Sequence, residues 1–195
     1  MEKDKTEYGY AARPGYRVIF NGKLGQVLQT DTKEYYRRPP GVRVIVDTLD
    51  GLIIQKEKRE YLNKEWDYRL PGGKSFDSLI EWLYGYDEIE GGYRLHEAAY
   101  TELKQEIGID ASIDRSNEYY VSVSSSSVEH DLHYFLVTEI EAEGEPDLQH
   151  DEVIEKVKLT YREVYALLLD GSFSEDRTRA VLFQFLLTQK KEFIF

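Results

Sequence analysis

Arg94-Leu95-His96-Glu97-Ala98-Ala99-Tyr100-Thr101-Glu102-Leu103-Lys104-Gln105-Glu106-Ile107-Gly108-Ile109 is the stretch on which the reading of this chain turns. Its apolar positions Leu95, Ala98, Ala99, Leu103 and Ile107 recur at three-and-four spacing, which predicts an amphipathic helix over 95–107. Gly108 stands where such a helix stops, because glycine accepts the left-handed backbone of a C-terminal cap. Glu102 and Glu106 are four residues apart, so they share one face of the helix while Leu103 and Ile107 look elsewhere. Like charges at that spacing repel by roughly a few tenths of a kcal/mol, a cost that disappears when a hard cation sits between them. The plain alternative is a solvated acidic helix face.

Upstream, residues 42–46 and 52–55 read as strands flanking a turn, and 66–70 as a third ending at Pro71-Gly72-Gly73. Earlier still, 16–20 and 25–30 are short extended runs separated by Asn21-Gly22, a dipeptide suited to a hairpin turn. Arg37-Arg38-Pro39-Pro40-Gly41 resists both strand and helix and reads as a linker. It divides a small N-terminal β-hairpin element, 1–40, from a main domain, 41–195. Downstream come strands at 119–123 and 133–140, an acidic loop at 141–152, a strand at 154–159, a helix at 161–169 closed by Gly171, and a last helix opening at Ser174. Strands and helices mix without regular βα alternation, which favours an α+β sandwich over a doubly wound sheet.

Composition narrows the chemistry. The formal charge of -12 repels polyanions and attracts divalent cations, so neither nucleic acid nor an anionic membrane is an expected partner. No cysteine is present, which excludes disulfides, thiol nucleophiles and thiolate zinc sites. His96, His130, His133 and His150 are scattered, so a histidine metal centre is not expected either. The opening MEKDKTEYGY lacks an apolar core of the signal-peptide kind, and a cytoplasmic protein is the expectation.

Pro71-Gly72-Gly73-Lys74, followed by Glu102-Leu103-Lys104-Gln105-Glu106-Ile107-Gly108-Ile109, resembles the Nudix box, G-x5-E-x7-R-E-U-x-E-E-x-G-U with U aliphatic. The resemblance implies a Nudix-like α/β/α sandwich with a mixed β-sheet and a small N-terminal β-element. Glu102 matches the glutamate after the box arginine and Glu106 the second of the paired glutamates, the principal metal ligands of that family. A backbone carbonyl of Gly72 or Gly73 is implied as a further ligand. Three departures are visible. Thr101 stands in place of the arginine, Gln105 in place of the first paired glutamate, and Tyr93 in place of the earlier one. Gly73 also precedes Glu102 by twenty-nine residues where the box has fifteen, so about fourteen residues, roughly 75–90, are inserted. Leu79, Ile80 and Leu83 within them fit a packing helical turn, or a lid over substrate.

Around the box, similarity to ADP-ribose pyrophosphatases and related nucleotide-sugar hydrolases runs from about residue 17 to 187. In those relatives the early β-element exchanges across a homodimer, and Arg59 matches an arginine that contacts substrate. Lys74 is implied beside it. Glu152 fits the family's general base, with Asp151 and Glu129 as alternatives. The activity implied is hydrolysis of the pyrophosphate in a nucleoside diphosphate derivative, ADP-ribose or another nucleotide sugar, with Mg2+ or Mn2+. Two further readings stay open: a hydrolase of dinucleoside polyphosphates or oxidised nucleoside triphosphates, and a degenerate domain that senses a nucleotide without cutting it.

Overall fold

The computed structural model describes residues 15–59, 62, 64–85, 88–123, 125–148 and 152–194. Every residue of strand β4 (Gly41–Asp47) is buried, and so are the first five of β5 (Gly51–Glu57). A strand covered on both faces needs a layer on each side. The two lie in a six-stranded sheet whose path is β12 (Ile154–Thr160), β5, β4, β10 (Leu132–Val137) and β8 (Glu118–Ser122), with β6 (Asp67–Arg69) also on β5. β4 and β10 run parallel and the other pairs antiparallel, so the sheet is mixed.

Helix α2 (Glu88–Ile107) covers one face, where Leu95, Ala99, Leu103 and Ile107 pack on Val42, Val44, Val46 and Ile53. Helices α3 (Tyr161–Asp170), α4 (Asp176–Gln189) and α5 (Lys191–Ile194) cover the other, where Leu168, Leu182 and Phe185 meet Ile45, Leu52 and Ile54. The period-2 alternation of β4 sends Val44 to one layer and Ile45 to the other. The architecture is the α+β sandwich, helix on sheet on helix, that the irregular order of elements predicts.

A second, four-stranded sheet is ordered β1 (Arg17–Asn21), β2 (Gln26–Gln29), β3 (Glu34–Arg37) and β9 (Val128–Glu129). The first hairpin turn is longer than Asn21-Gly22 suggests, closing with the Gly22 N–H on the Gly25 carbonyl at 2.8 Å. Residues 37–41 are less of a linker than their prolines imply. Arg37 ends β3, its buried Nε donating to Gln26 Oε1 at 2.9 Å, and Gly41 begins β4. β9, far along the chain, runs parallel to β3 through Tyr36 and Val128.

Three further elements differ from expectation. α2 starts at Glu88, seven residues before the expected 95, and passes through Gly91 and Gly92; each glycine costs a helix about 1 kcal/mol against alanine, and the fold overrides that preference. The acidic stretch after residue 140 contains β11 (Ala142–Glu143), paired with β7 (Ile109–Asp110). The last helix opens at Asp176 because Ser174 is bound to Asp67 through both its N–H (2.9 Å) and its hydroxyl (2.6 Å), and Glu175 is held by Arg43. The inserted segment forms helix α1 (Leu79–Gly85). Leu79 is fully buried, its N–H bonded to the Lys23 carbonyl at 2.9 Å, whereas Ile80 is exposed. Among the described residues no helix is long and apolar enough to cross a membrane.

Candidate active site

Strand β6 leads into Pro71-Gly72-Gly73, which runs alongside β4: the Val44 N–H donates to the Pro71 carbonyl and the Val42 N–H to the Gly73 carbonyl, both at 2.9 Å. Gly72 has φ +144°, and a Cβ there would collide with the Val42 carbonyl, so the turn can approach β4 only as glycine. Its N–H points instead to α2 and donates to Glu106 Oε2 at 2.7 Å, while Gln55 Nε2 donates to Glu106 Oε1 at 3.2 Å. One turn earlier on α2, the Glu102 carboxylate lies directly against Gly73, where a Cβ would overlap it. The glycine turn, Glu102 and Glu106 therefore form one unit, joined by the ladder to β4 and by Gln55 to β5.

Both carboxylates are short of solvent. Burial pushes the Glu106 carboxyl up to about 7; the Gly72 N–H opposes that, and the neighbouring Glu102 charge adds to it. Glu102 is also raised, by burial first and then by the charge of Glu152. Neither forms an ion pair among the described residues. Arg43, on the opposite face of β4, is committed elsewhere: its Nε and Nη2 grip Glu175 at 2.8 and 3.0 Å, and Nη1 donates to the Val42 carbonyl. Burial alone would raise the Glu175 carboxyl, but Arg43 outweighs it and holds Glu175 down at about 2.

Two desolvated carboxylates without a partner cation, beside peptide carbonyls, suit a hard divalent cation such as magnesium. Among the described residues no three His, Cys, Asp or Glu side chains converge on a metal position. The residues that could hold such a cation are Glu102, Glu106 and a carbonyl of the 72–73 turn.

The other residues singled out by sequence fall in three places. Glu152 stands close enough to Glu102 for its charge to count there. Asp151 and His150 lie outside the described residues. Glu129 is on β9, accepting from the Tyr35 hydroxyl at 3.0 Å, and with Asp131 and His133 it lines a small hollow beside Trp82. Arg59 follows β5 and pairs with Glu57 at 2.8 Å. Lys74 follows the glycine turn and pairs with Asp77 at 2.9 Å. His96 packs edge-on against Phe135, His133 bonds Glu118, and the His130 Nδ1–H donates to the Pro39 carbonyl, its pKa lowered to about 4 chiefly by burial.

Sequence reasoning passed over Gln55, Arg43 and Arg69. Gln55 sits directly across from Arg69 in the β5–β6 register, 1% exposed, with its Oε1 lacking a hydrogen-bond partner. Arg69 is mostly buried and reaches Glu57 and Asp67 only at 3.7 Å; burial, then Arg43 and Arg59, lower its pKa. The available signal was a polar residue interrupting an apolar run, Gln55 after Leu52-Ile53-Ile54 and Arg43 within Val42 to Val46.

No family model and no curated protein matches this chain. Among solved structures it is similar to one described as the crystal structure of an ADP compounds hydrolase, with a TM-score of 0.56 at 17% identity over 93% of this chain and 100% of that one. A likeness at that identity carries the fold alone.

Proposed function

We propose that this protein is a Nudix-type hydrolase of the pyrophosphate bond in a nucleoside diphosphate derivative, ADP-ribose or a related nucleotide sugar, yielding a nucleoside monophosphate and a sugar phosphate. The observation that carries the proposal is the unit of Glu102 and Glu106 fastened against the Gly72-Gly73 turn, one half-buried and one buried carboxylate without an ion-pair partner. The fold it shares with a solved ADP compounds hydrolase supports the reading.

Glu102, Glu106 and the 72–73 carbonyls would hold Mg2+, or Mn2+ in its place. Bound there, a divalent cation neutralises diphosphate charge and lowers the pKa of an attacking water. The chain's own residues do the rest. Gln55 and the Gly72 N–H fix both oxygens of Glu106, so its orientation is set before substrate arrives. Glu152 is the general base, because its charge is felt at Glu102 whereas Glu129 is engaged on β9 with Tyr35; taking a proton from water contributes typically about 10²- to 10⁴-fold. Arg59 and Lys74 bind the phosphates, exchanging their carboxylate partners Glu57 and Asp77 for phosphate oxygens. A homodimer built through the N-terminal sheet completes the proposal.

Thr101 and Gln105 favour a second reading, a nucleotide sensor, since each removes a charge from the box. A screen of nucleoside diphosphate derivatives with magnesium, products identified by mass, separates the two. An enzyme releases product; a sensor is stabilised by ligand and releases none.

A further inference from the structure

Arg69 is an enclosed cation that the proposed reaction does not use. Its side chain is 10% exposed, and among the described residues its guanidinium makes no hydrogen bond; Glu57 Oε2 and Asp67 Oδ2 stand at 3.7 Å each. A guanidinium carries five N–H donors, and enclosed donors are ordinarily satisfied. Asp67 is already engaged, accepting from the Ser174 N–H at 2.9 Å and from its hydroxyl at 2.6 Å. Glu57 stands differently. Its Oε2 accepts from Arg59 Nε at 2.8 Å and faces Arg69 Nε at 3.7 Å, so one carboxylate oxygen lies between two guanidinium groups and bonds one of them. The strand register sets this up. In the β5–β6 pairing Gln55 lies opposite Arg69 and Glu57 opposite Asp67, which makes Glu57 and Arg69 diagonal neighbours on one sheet face, a spacing that long side chains span. Arg59 lies two residues past Glu57, beyond the end of β5, and at 26% exposure is the less enclosed of the two arginines.

We infer that the Glu57 carboxylate is handed from Arg59 to Arg69 when Arg59 turns to the diphosphate, which makes Arg69 a positioning residue for substrate binding. The inference rests on the reading of Arg59 as a phosphate ligand given above. With no second cation at hand, the departure of Arg59 would leave the half-buried Glu57 carboxylate unpaired beside the incoming phosphates. Desolvation and like-charge repulsion would both oppose binding. Arg69 removes both. Its Nε has to close by only about 0.8 Å to reach an ordinary N–H···O length of about 2.9 Å, and it gives up no hydrogen bond in doing so. Electrostatics point the same way: burial, then the charges of Arg43 and Arg59, lower the Arg69 pKa against the pull of Glu175 and Glu57. Withdrawal of Arg59 relieves one of those repulsions and frees the Glu57 oxygen at the same moment.

The transfer is read first without substrate. Arg59→Met removes the group that departs, and 15N NMR of the arginine Nε–H groups follows Arg69, its signal assigned by its loss in Arg69→Lys. The expected result is exchange of the Arg69 Nε proton with solvent about tenfold slower than in the wild type, the gain of one hydrogen bond at about 1.4 kcal/mol. An unchanged rate overturns the inference. The consequence is then read in kinetics with ADP-ribose and magnesium. Arg69→Met should raise KM about tenfold with kcat within about twofold, and in a Glu57→Gln background, where no charge has to be handed over, it should change KM by less than about twofold. Equal rises of KM in both backgrounds, a loss confined to kcat, or an Arg59→Met protein with unaltered KM overturns it. If the wild-type protein cuts no nucleoside diphosphate derivative, the hydrolase reading fails, and the exchange rate in Arg59→Met decides the transfer by itself: slowing supports it, and no change overturns it.

Discussion

Replacing Glu106 with glutamine should make the metal-free protein more stable and the metal-loaded protein less so. The Glu106 carboxyl is raised from an ordinary 4.5 to about 7, chiefly by burial. Between those values the folded protein keeps a proton that the unfolded chain has released, so this group's contribution to stability is full below 4.5 and is lost as pH rises through about 7. At 1.36 kcal/mol per pH unit the loss amounts to about 3 kcal/mol by pH 8.5. Glu106 is 9% exposed, so solvent screening removes little of it. Glutamine keeps an acceptor for the Gly72 N–H, and rotation of the Gln55 amide gives it a second partner. The assay is urea unfolding at pH 5 and pH 8.5, with EDTA and with saturating magnesium. In EDTA at pH 8.5 Glu106→Gln should be the more stable protein by about 2–3 kcal/mol, and the two should converge toward pH 5. Magnesium at about a hundred times its Kd adds about 2.7 kcal/mol to the wild type and nothing comparable to the variant. A variant less stable than wild type at pH 8.5 in EDTA, or equally stabilised by magnesium, refutes the reasoning.

Glu175→Gln leaves the Arg43 guanidinium buried without a counter-charge and should cost about 3–5 kcal/mol in unfolding free energy. In the wild type Glu175, held at about 2 against an ordinary 4.5, contributes stability that is present above 4.5 and lost as pH falls toward 2; acid titration of the two proteins should show that dependence only in the wild type. Gly73→Ala places a methyl group into the Glu102 carboxylate and should lower kcat/KM about a hundredfold, as a shift of about 1 Å does at a reacting centre, with a small change in Tm. Glu152→Gln should lower kcat by about 10²- to 10⁴-fold while magnesium affinity, read by calorimetry, stays within about threefold; a comparable loss of metal binding would assign Glu152 to the metal instead.

The helix over 95–107 was legible because Leu95, Ala99, Leu103 and Ile107 all have to be buried on one sheet face, and periodicity records that requirement. The same stretch places Glu102 and Glu106 together without any tertiary information. What touches them is another matter. Gln55 reaches Glu106 across 51 residues, and the Gly72 N–H across 34, through a β-turn packing whose partners no local pattern announces. The four-stranded sheet was half legible: β1 and β2 are neighbours in sequence, but β9 joins from residues 128–129, and only the folded sheet brings them side by side. The inserted helix was readable from Leu79, Ile80 and Leu83, yet Ile80 is exposed, and the bond from Leu79 to Lys23 depends on where the helix docks. Arg37 and Gly41 read as linker residues because two prolines stand between them, whereas they end β3 and begin β4, and only the three residues 38–40 pass from one sheet to the other.

The most direct test of the central claim is hydrolysis of ADP-ribose in 18O-labelled water with magnesium, followed by mass spectrometry of both products. The account predicts AMP and ribose 5-phosphate in equal amounts, one of them carrying a single 18O, with formation abolished by EDTA and by Glu106→Gln. Intact ADP-ribose after prolonged incubation with folded, magnesium-loaded protein, or turnover indifferent to EDTA, would contradict it.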